Sequence, residues 1–101
     1  MRAKVRKAVK ADIRDALQAS QRLTANKDKR FAETEFRRML SVAQKSRRAA
    51  VSPWEDSYDH PQWVSAILTE TLFSNELSRL RGEITIQEYQ AVVGNIARFA
   101  E

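Results

Sequence analysis

Apolar residues are densest over residues 61–80, and they fall on two sides of the helix that this segment predicts. At about 100° per residue, Val64, Leu68 and Leu72 share one side. The other side carries a longer apolar stripe, made of Trp63, Ala66, Ile67, Phe73, Leu77 and Leu80. Because a surface helix has a single apolar stripe, this pattern predicts a helix that is covered from both sides.

Two amphipathic helices are predicted before this segment. The apolar stripe of the first, over residues 2–23, consists of Val5, Val9, Ile13, Ala16, Ser20 and Leu23. The stripe of the second, over residues 29–50, consists of Ala32, Phe36, Met39, Leu40, Ala43 and Ala50. We place a break at residues 24–28, because Asn26 and Asp28 favour caps and turns. Since this stretch holds neither Gly nor Pro, one continuous helix over residues 2–50 remains an alternative.

The C-terminal part of the chain predicts a tightly capped helical hairpin. Gly82 has the position of a C-terminal helix glycine. Thr85 and Glu88 then have the spacing of a capping box, which starts a fourth helix over residues 86–99. Ile84 and Tyr89 have the spacing of the hydrophobic staple that accompanies such a box.

A joint over residues 51–60 separates the two halves. Ser52 and Glu55 have the spacing of another capping box, and Pro61 suits the first position of the helix that follows. Trp54 lies inside the joint. An aromatic residue beside a bend either fills the core or, if exposed, contributes an interface contact, and the sequence leaves both roles open.

Together these elements predict an all-α, small four-helix domain, in which two basic N-terminal helices precede a capped antiparallel helical hairpin. The length of 101 residues fits one domain, 1–101, with a single modest core. We expect helices two, three and four to form that core, with the first helix alongside or projecting. If the second helix covers Val64, Leu68 and Leu72, the fold closes as a monomer. If the first two helices project as a rod, these residues and Trp54 are the interface of a homodimer or a larger protein assembly.

Charge divides the chain more sharply than the net value of +5 suggests. Residues 1–50 hold 15 Lys and Arg against 5 Asp and Glu, a net charge of +10. Residues 51–101 hold 3 Lys and Arg against 8 Asp and Glu, a net charge of −5. A basic block of this size predicts a polyanionic partner, unless the two halves neutralise each other by packing together.

Cations recur on the polar sides of the first two helices. Glu33 and Glu35 are expected elsewhere, near the start of the second helix. Such rows can follow a phosphate backbone with little dependence on sequence, so nucleic acid is the favoured partner. An acidic protein surface and a merely solvated face are the alternatives. The predicted contacts are Lys7, Lys10, Arg14, Arg30, Arg37, Arg38, Lys45 and Arg48.

Catalytic chemistry has little support in the sequence. The chain has no Cys, one histidine, His60, and no glycine-rich phosphate loop. Asp56 and Asp59 lie near His60, but nothing here matches a metal or nucleophile motif, and helix capping is the simpler role. We therefore expect no catalytic residue, no metal, no cofactor and no small-molecule substrate.

The turn of the hairpin resembles a fragment of two known structures. Gly82, Ile84 and Glu88 match the second half of an EF-hand calcium loop, but Arg79 and Arg81 stand where that loop has oxygen ligands, which argues against calcium. The run over residues 77–89 is also similar to the short C-terminal helical hairpin of many bacterial proteins. That resemblance implies an interaction module.

These features lead to one functional expectation and one alternative. We expect a non-enzymatic binding protein whose basic helices engage nucleic acid while the C-terminal hairpin mediates self-association or docking. The alternative is an adaptor or inhibitor, of the kind that phages and plasmids encode, which binds a larger protein complex through its basic face. The absence of Cys suits the cytoplasm, where we expect this protein. No apolar run approaches the length of a membrane span, so we expect no membrane contact.

Overall fold

Four α-helices build the protein, in the order α1 (Ala3–Thr24), α2 (Lys29–Ala50), α3 (Pro61–Leu80) and α4 (Ile86–Ala97), and a 3₁₀ turn (Arg98–Ala100) follows. The structure is a computed structural model, and it describes residues 2–50 and 60–101. No strand occurs in these residues, which confirms the predicted all-α class. The bounds of α2 and α3 are those that the sequence predicts.

A short turn divides α1 from α2, as the polar residues at this point predict. The Asn26 side-chain oxygen accepts a hydrogen bond from the Asp28 amide at 2.8 Å. Asp28 Oδ1 in turn accepts from the amides of Arg30 and Phe31, each at 3.1 Å. Asp28 therefore caps α2, and the continuous helix over residues 2–50 is excluded.

The α3–α4 hairpin has the predicted caps. Gly82 takes a φ of 69°, which a residue with a side chain rarely adopts. The Thr85 hydroxyl accepts from the Glu88 amide at 3.1 Å, and the Glu88 carboxylate accepts from the Thr85 amide at 3.0 Å. These hydrogen bonds lower the pKa of Glu88. The α-helix ends at Ala97 rather than at Phe99, because the last turn tightens to 3₁₀ geometry, as helix ends often do.

Helix α3 lies at the centre of the fold and is covered on two sides. Its most extensive contacts are with α2, where the rings of Phe36 and Phe73 lie 5.9 Å apart. On another side α1 packs against it, and Ser65 donates a 2.7 Å hydrogen bond to Asp12. The prediction that residues 61–80 form a helix covered from two sides is thus confirmed.

The first helix packs in the core and does not project. Its buried residues are those of the predicted stripe, Val5, Val9, Ile13, Ala16 and Ser20. Leu23, at the end of the stripe, is half-buried. The 3₁₀ turn also contacts α1, where Arg14 bonds to Ala100.

The prediction that α2 covers the α3 side of Val64, Leu68 and Leu72 is wrong. Val64 and Leu72 are 7% and 0% exposed, and Leu68 is half-buried against the core. Leu68 and Leu72 share a side of the helix with Ser65, which bonds to α1, whereas α2 packs on the side of Phe73. The projecting rod on which the interface prediction depended is absent, so these three are core residues rather than an exposed interface. Trp54 and the Ser52–Glu55 box lie outside the described residues.

None of the helices within residues 2–50 and 60–101 combines the length and the apolar character that crossing a bilayer requires.

Candidate nucleic-acid interface

Helix α2 presents a buried side and an exposed cationic side. The buried side holds Ala32, Phe36 and Ala43, which pack towards α3. Spacings of seven, eight and three residues place four exposed cations together on another side. We call this set the cationic face of α2, and it consists of Arg30, Arg37, Lys45 and Arg48.

The position of α2 is fixed at both ends of its packed side. Phe36 is 0% exposed and lies against Phe73. Near the C-terminal end of α2, Arg47 Nε donates a 2.8 Å hydrogen bond to the Glu70 carboxylate of α3. The cationic face therefore stands on a helix that is held by a core contact and by an ion pair.

Acidic residues lie closer to the predicted cations than the placement of Glu33 and Glu35 near the start of α2 predicts. Arg37 pairs with Glu33 at 3.2 Å, and Arg38 pairs with Glu35 at 2.7 Å. The hydrogen bonds to Glu35 and then its negative charge raise the pKa of Arg38. Spacings of four and three residues allow these pairs on any helix, so the predicted row of cations is partly neutralised within α2.

Three cations of the face remain available. In residues 2–50 and 60–101, the side chains of Arg30, Lys45 and Arg48 find no hydrogen-bond or ion-pair partner. Arg30 and Arg48 are 18 positions apart, which corresponds to about 27 Å along an α-helix. The face thus offers positive charge along a length that spans several phosphates of a nucleic-acid backbone.

The cations predicted on α1 belong to a different surface. Lys7 and Arg14 are exposed, Lys10 is half-buried, and Arg14 Nε donates a 2.9 Å hydrogen bond to the Ala100 carbonyl in the 3₁₀ turn. On α1, Asp12 lies on the side that faces α2, where it lines a groove together with residues of α2. Asp12 is two positions from both Lys10 and Arg14, so these two cations lie on nearly the opposite side of α1. The eight predicted contact residues are therefore divided between two surfaces.

An apolar groove runs between α1 and α2, with α3 as its floor. Its volume is about 590 Å³. Met39, Ala66 and Phe73 contribute to its apolar lining, and Val42 at its edge is 57% exposed. No sequence pattern predicts this groove, because it depends on how α1 and α2 are placed on α3.

A buried carboxyl group in the core is a polar feature that the sequence pattern does not predict. Glu76 is 1% exposed, and its Oε1 accepts hydrogen bonds from Ser20 at 3.0 Å and from the Tyr89 hydroxyl at 2.6 Å. Its Oε2 has no hydrogen-bond partner among the described residues. Glu76 therefore connects α1, α3 and α4 at one point in the core.

The environment of Tyr89 follows from this contact. Burial, the hydrogen bond to Glu76 and its charge together raise the pKa of Tyr89 to about 12. The guanidinium of Arg79 lies 4.6 Å from the centre of the Tyr89 ring and opposes part of this rise. Such a cation over an aromatic face adds to the attachment of α4 to α3.

Metal-binding groups do not come together in the described part of the chain. Within it, no three His, Asp or Glu side chains lie close enough to hold a metal ion. His60 occupies the N-cap position of α3, without a side-chain hydrogen bond to the helix amides. Asp56 and Asp59 lie outside the described residues.

Comparison of the chain with protein-family models, with curated proteins and with solved structures finds no match.

Proposed function

We propose that this chain is a small non-enzymatic protein that binds the phosphate backbone of nucleic acids through the cationic face of α2. The observation that carries the proposal is a set of three cations, Arg30, Lys45 and Arg48, that have no ion-pair or hydrogen-bond partner among residues 2–50 and 60–101, on a helix whose opposite side is anchored in the core. A rigid helix keeps these charges in place without further ordering of the backbone.

The kind of binding follows from the residues on this face. Arg and Lys contact phosphates by charge and hydrogen bonding, and such contacts carry little sequence information. The exposed residues between these cations, Thr34 and Ser41, are small. We therefore expect binding that depends steeply on salt and weakly on base sequence.

The experiment is a salt titration of binding to labelled duplex DNA and RNA. The double variant Arg30→Gln/Arg48→Gln removes two contacts from the face. For duplex DNA each lost phosphate contact lowers the slope of log affinity against log salt by about 0.9, so we expect a loss of about 1.8.

The matched control is Lys4→Gln/Arg22→Gln, which removes the same charge from two exposed positions on α1. If the face of α2 is the site, this control keeps most of the slope of the unmodified protein. Equal losses in both variants would show attraction to net charge alone and would overturn the assignment to α2. Absence of binding at low salt would overturn the function, and the acidic protein partner would then be the hypothesis to test.

A further inference from the structure

Helix α2 has a third side, between its buried side and its cationic face, and this side is exposed and partly apolar. Phe31 and Val42 are 49% and 57% exposed there. They belong to a row in which spacings of three and four residues alternate, as they do along the contact line of a two-helix coiled coil. We call this row the α2 seam, and it consists of Asp28, Phe31, Glu35, Arg38, Val42 and Lys45.

The order of residue types in the α2 seam is self-complementary. From its start the seam reads acid, apolar, acid, base, apolar, base. If a second α2 lies antiparallel and is centred between Phe36 and Arg37, every position meets a suitable one. The pairs are Asp28 with Lys45, Phe31 with Val42, and Glu35 with Arg38, and each occurs twice.

We propose that the α2 seam is a homodimer interface, in which a second copy of this chain packs antiparallel across a two-fold axis beside Phe36 and Arg37. A two-fold interface uses the same patch on both copies, so residue i must suit residue j and j must suit i. The seam meets this condition at all six positions. In a parallel pair each residue would face the same residue of the second copy, so acids would face acids and bases would face bases.

The groove between α1 and α2 supplies a site for the aromatic residue of the seam. The antiparallel register brings Phe31 of the second copy to the level of Val42, at the edge of this groove. The groove has about 590 Å³ of space beside Met39 and Phe73. An exposed aromatic side chain that enters an apolar recess of its partner is the usual form of an interface hot spot.

The charged pairs and the apolar pairs together set the register. Glu35 and Arg38 bond to each other within one chain. In the dimer two such pairs lie side by side, with each carboxylate next to the guanidinium of the other copy. A shift of register by one heptad would keep opposite charges together but would place Phe31 opposite Glu35, or Val42 opposite Arg38, so the apolar contacts are lost.

Lys45, which the α2 seam shares with the cationic face, has no partner among the described residues and meets Asp28, the acid that caps the second α2. In the dimer, Arg30 and Arg48 are the cations that remain for phosphate contacts.

Dimerisation would also arrange the cationic faces. The two-fold axis of an antiparallel helix pair is perpendicular to the plane of the two helices, so both cationic faces lie on the same side of the dimer. This consequence rests on the proposed function, whereas the dimer does not.

The first test uses cysteine pairs, because the native chain has no cysteine. Phe31→Cys mixed with Val42→Cys should form a disulfide-linked dimer on mild oxidation. Neither variant alone should do so, because positions 31 of the two copies lie about 16 Å apart along the helix axis and a disulfide requires Cα atoms within about 7 Å. Gln18→Cys, exposed on α1, mixed with Val42→Cys is the control for random oxidation.

The second test exchanges charges and measures mass by light scattering. The unmodified protein should have twice the monomer mass of 11.6 kDa. Glu35→Arg and Arg38→Glu should each be monomeric, and their mixture should regain the dimer mass, because each acid then meets a base. Circular dichroism of each variant checks that its helices remain folded.

A monomer mass for the unmodified protein, together with cross-linking no stronger than in the Gln18 control, would overturn the dimer and leave the seam to another partner. The two proposals fail separately. Arg30→Gln/Arg48→Gln lies outside the seam and should keep the dimer mass while it loses nucleic-acid binding. Glu35→Arg should lose the dimer mass in the absence of any nucleic acid.

Discussion

The hydroxyl of Tyr89 donates a 2.6 Å hydrogen bond to the buried carboxyl group of Glu76, and this bond joins α4 to the central helix. Glu76 receives a second hydrogen bond from Ser20 of α1. One polar side chain in the core thus holds two helices that approach α3 from different parts of the chain. Removal of the Ser20 or the Tyr89 hydroxyl would leave the buried Glu76 Oε1 with one hydrogen bond instead of two, and loss of a hydrogen bond to a buried polar atom is destabilising.

Tyr89→Phe should lower the free energy of unfolding by about 1–3 kcal/mol, because it removes a hydrogen bond to a buried carboxyl group and little else. Urea denaturation measures the loss. In a double-mutant cycle with Glu76→Leu, which has no acceptor at this position, the two losses should add up to more than the loss in the double variant, since both changes remove the same bond. Strictly additive losses would contradict a direct contact.

Ionisation of Tyr89 should destabilise the fold at alkaline pH. The pKa in the folded protein is about 12, above the ordinary value of 10.0, so the folded state favours the neutral phenol. The stabilising contribution of Tyr89 is therefore fully present below about pH 10 and is lost as the pH rises through about 12. The difference in tyrosinate absorbance between the native protein and Tyr89→Phe isolates this titration, because the chain has only one other tyrosine. A difference titration centred near pH 10 would contradict the buried contact.

Phe36→Ala and Phe31→Ala make the same chemical change on the buried side and on an exposed side of α2. Phe36 is 0% exposed, so we expect its truncation to cost about 3–5 kcal/mol through the cavity it leaves. Phe31 is 49% exposed, and its truncation should cost well under half of that. Thermal unfolding should be measured at a protein concentration low enough for the chain to be monomeric. Similar losses at both positions would show that the packing of α2 on α3 is assigned to the wrong side.

The two glycines should respond to alanine with opposite signs. Gly82 has a φ of 69°, so Gly82→Ala should destabilise the protein by about 1–2 kcal/mol through backbone strain alone, since no atom lies near the added methyl group. Gly94 is inside α4 and also has open space at this point, so Gly94→Ala should stabilise the protein by about 0.5–1 kcal/mol. Denaturant midpoints of the two variants test the pair. A stabilised Gly82→Ala would contradict the turn geometry.

Local signals in the sequence were sufficient for the helices and for the hairpin. Pro61, Gly82 and the Thr85–Glu88 box act over a few residues, so their effect does not depend on the rest of the fold. The same holds for Asp28, whose side chain caps α2 as its position suggests. The apolar row of α1 at helical spacing indicated a stripe that needs cover, but its position against α3 was left open between packing alongside and projecting.

Packing between distant residues could not be predicted. Glu76 carries no sign of burial in the sequence, since glutamate on a helix is usually solvated, and its partner Ser20 is 56 positions away. The packing of α2 on the Phe73 side of α3, rather than over Val64 and Leu72, depends on the same kind of long-range choice. The Arg37 and Arg38 pairs are a different case. Their spacing to Glu33 and Glu35 was visible, but both acids were assigned to the start of the helix rather than to their neighbours.

For the candidate nucleic-acid interface, the sequence predicted the positive charge but not the arrangement of the cations. A basic N-terminal half follows from counting, but the division of its cations between two surfaces follows from the contact of Arg14 with Ala100. The α2 seam contains residues that were each assigned to other roles or to none. Its symmetry becomes visible once Phe31 and Val42 are known to be exposed.

The central position of α3 has a consequence for the order of folding. Its contacts with α2 join neighbouring segments, whereas α1 reaches α3 and the 3₁₀ turn across separations of 53 and 86 residues. Because long-range loop closure is entropically costly, the α2–α3 pair should form in the rate-limiting step and α1 should dock afterwards. Truncation of Phe36 should then slow folding, whereas truncation of Ser20 should mainly accelerate unfolding. The docking of α1, which is first in the chain but last to pack, would then determine how rarely the native protein opens transiently.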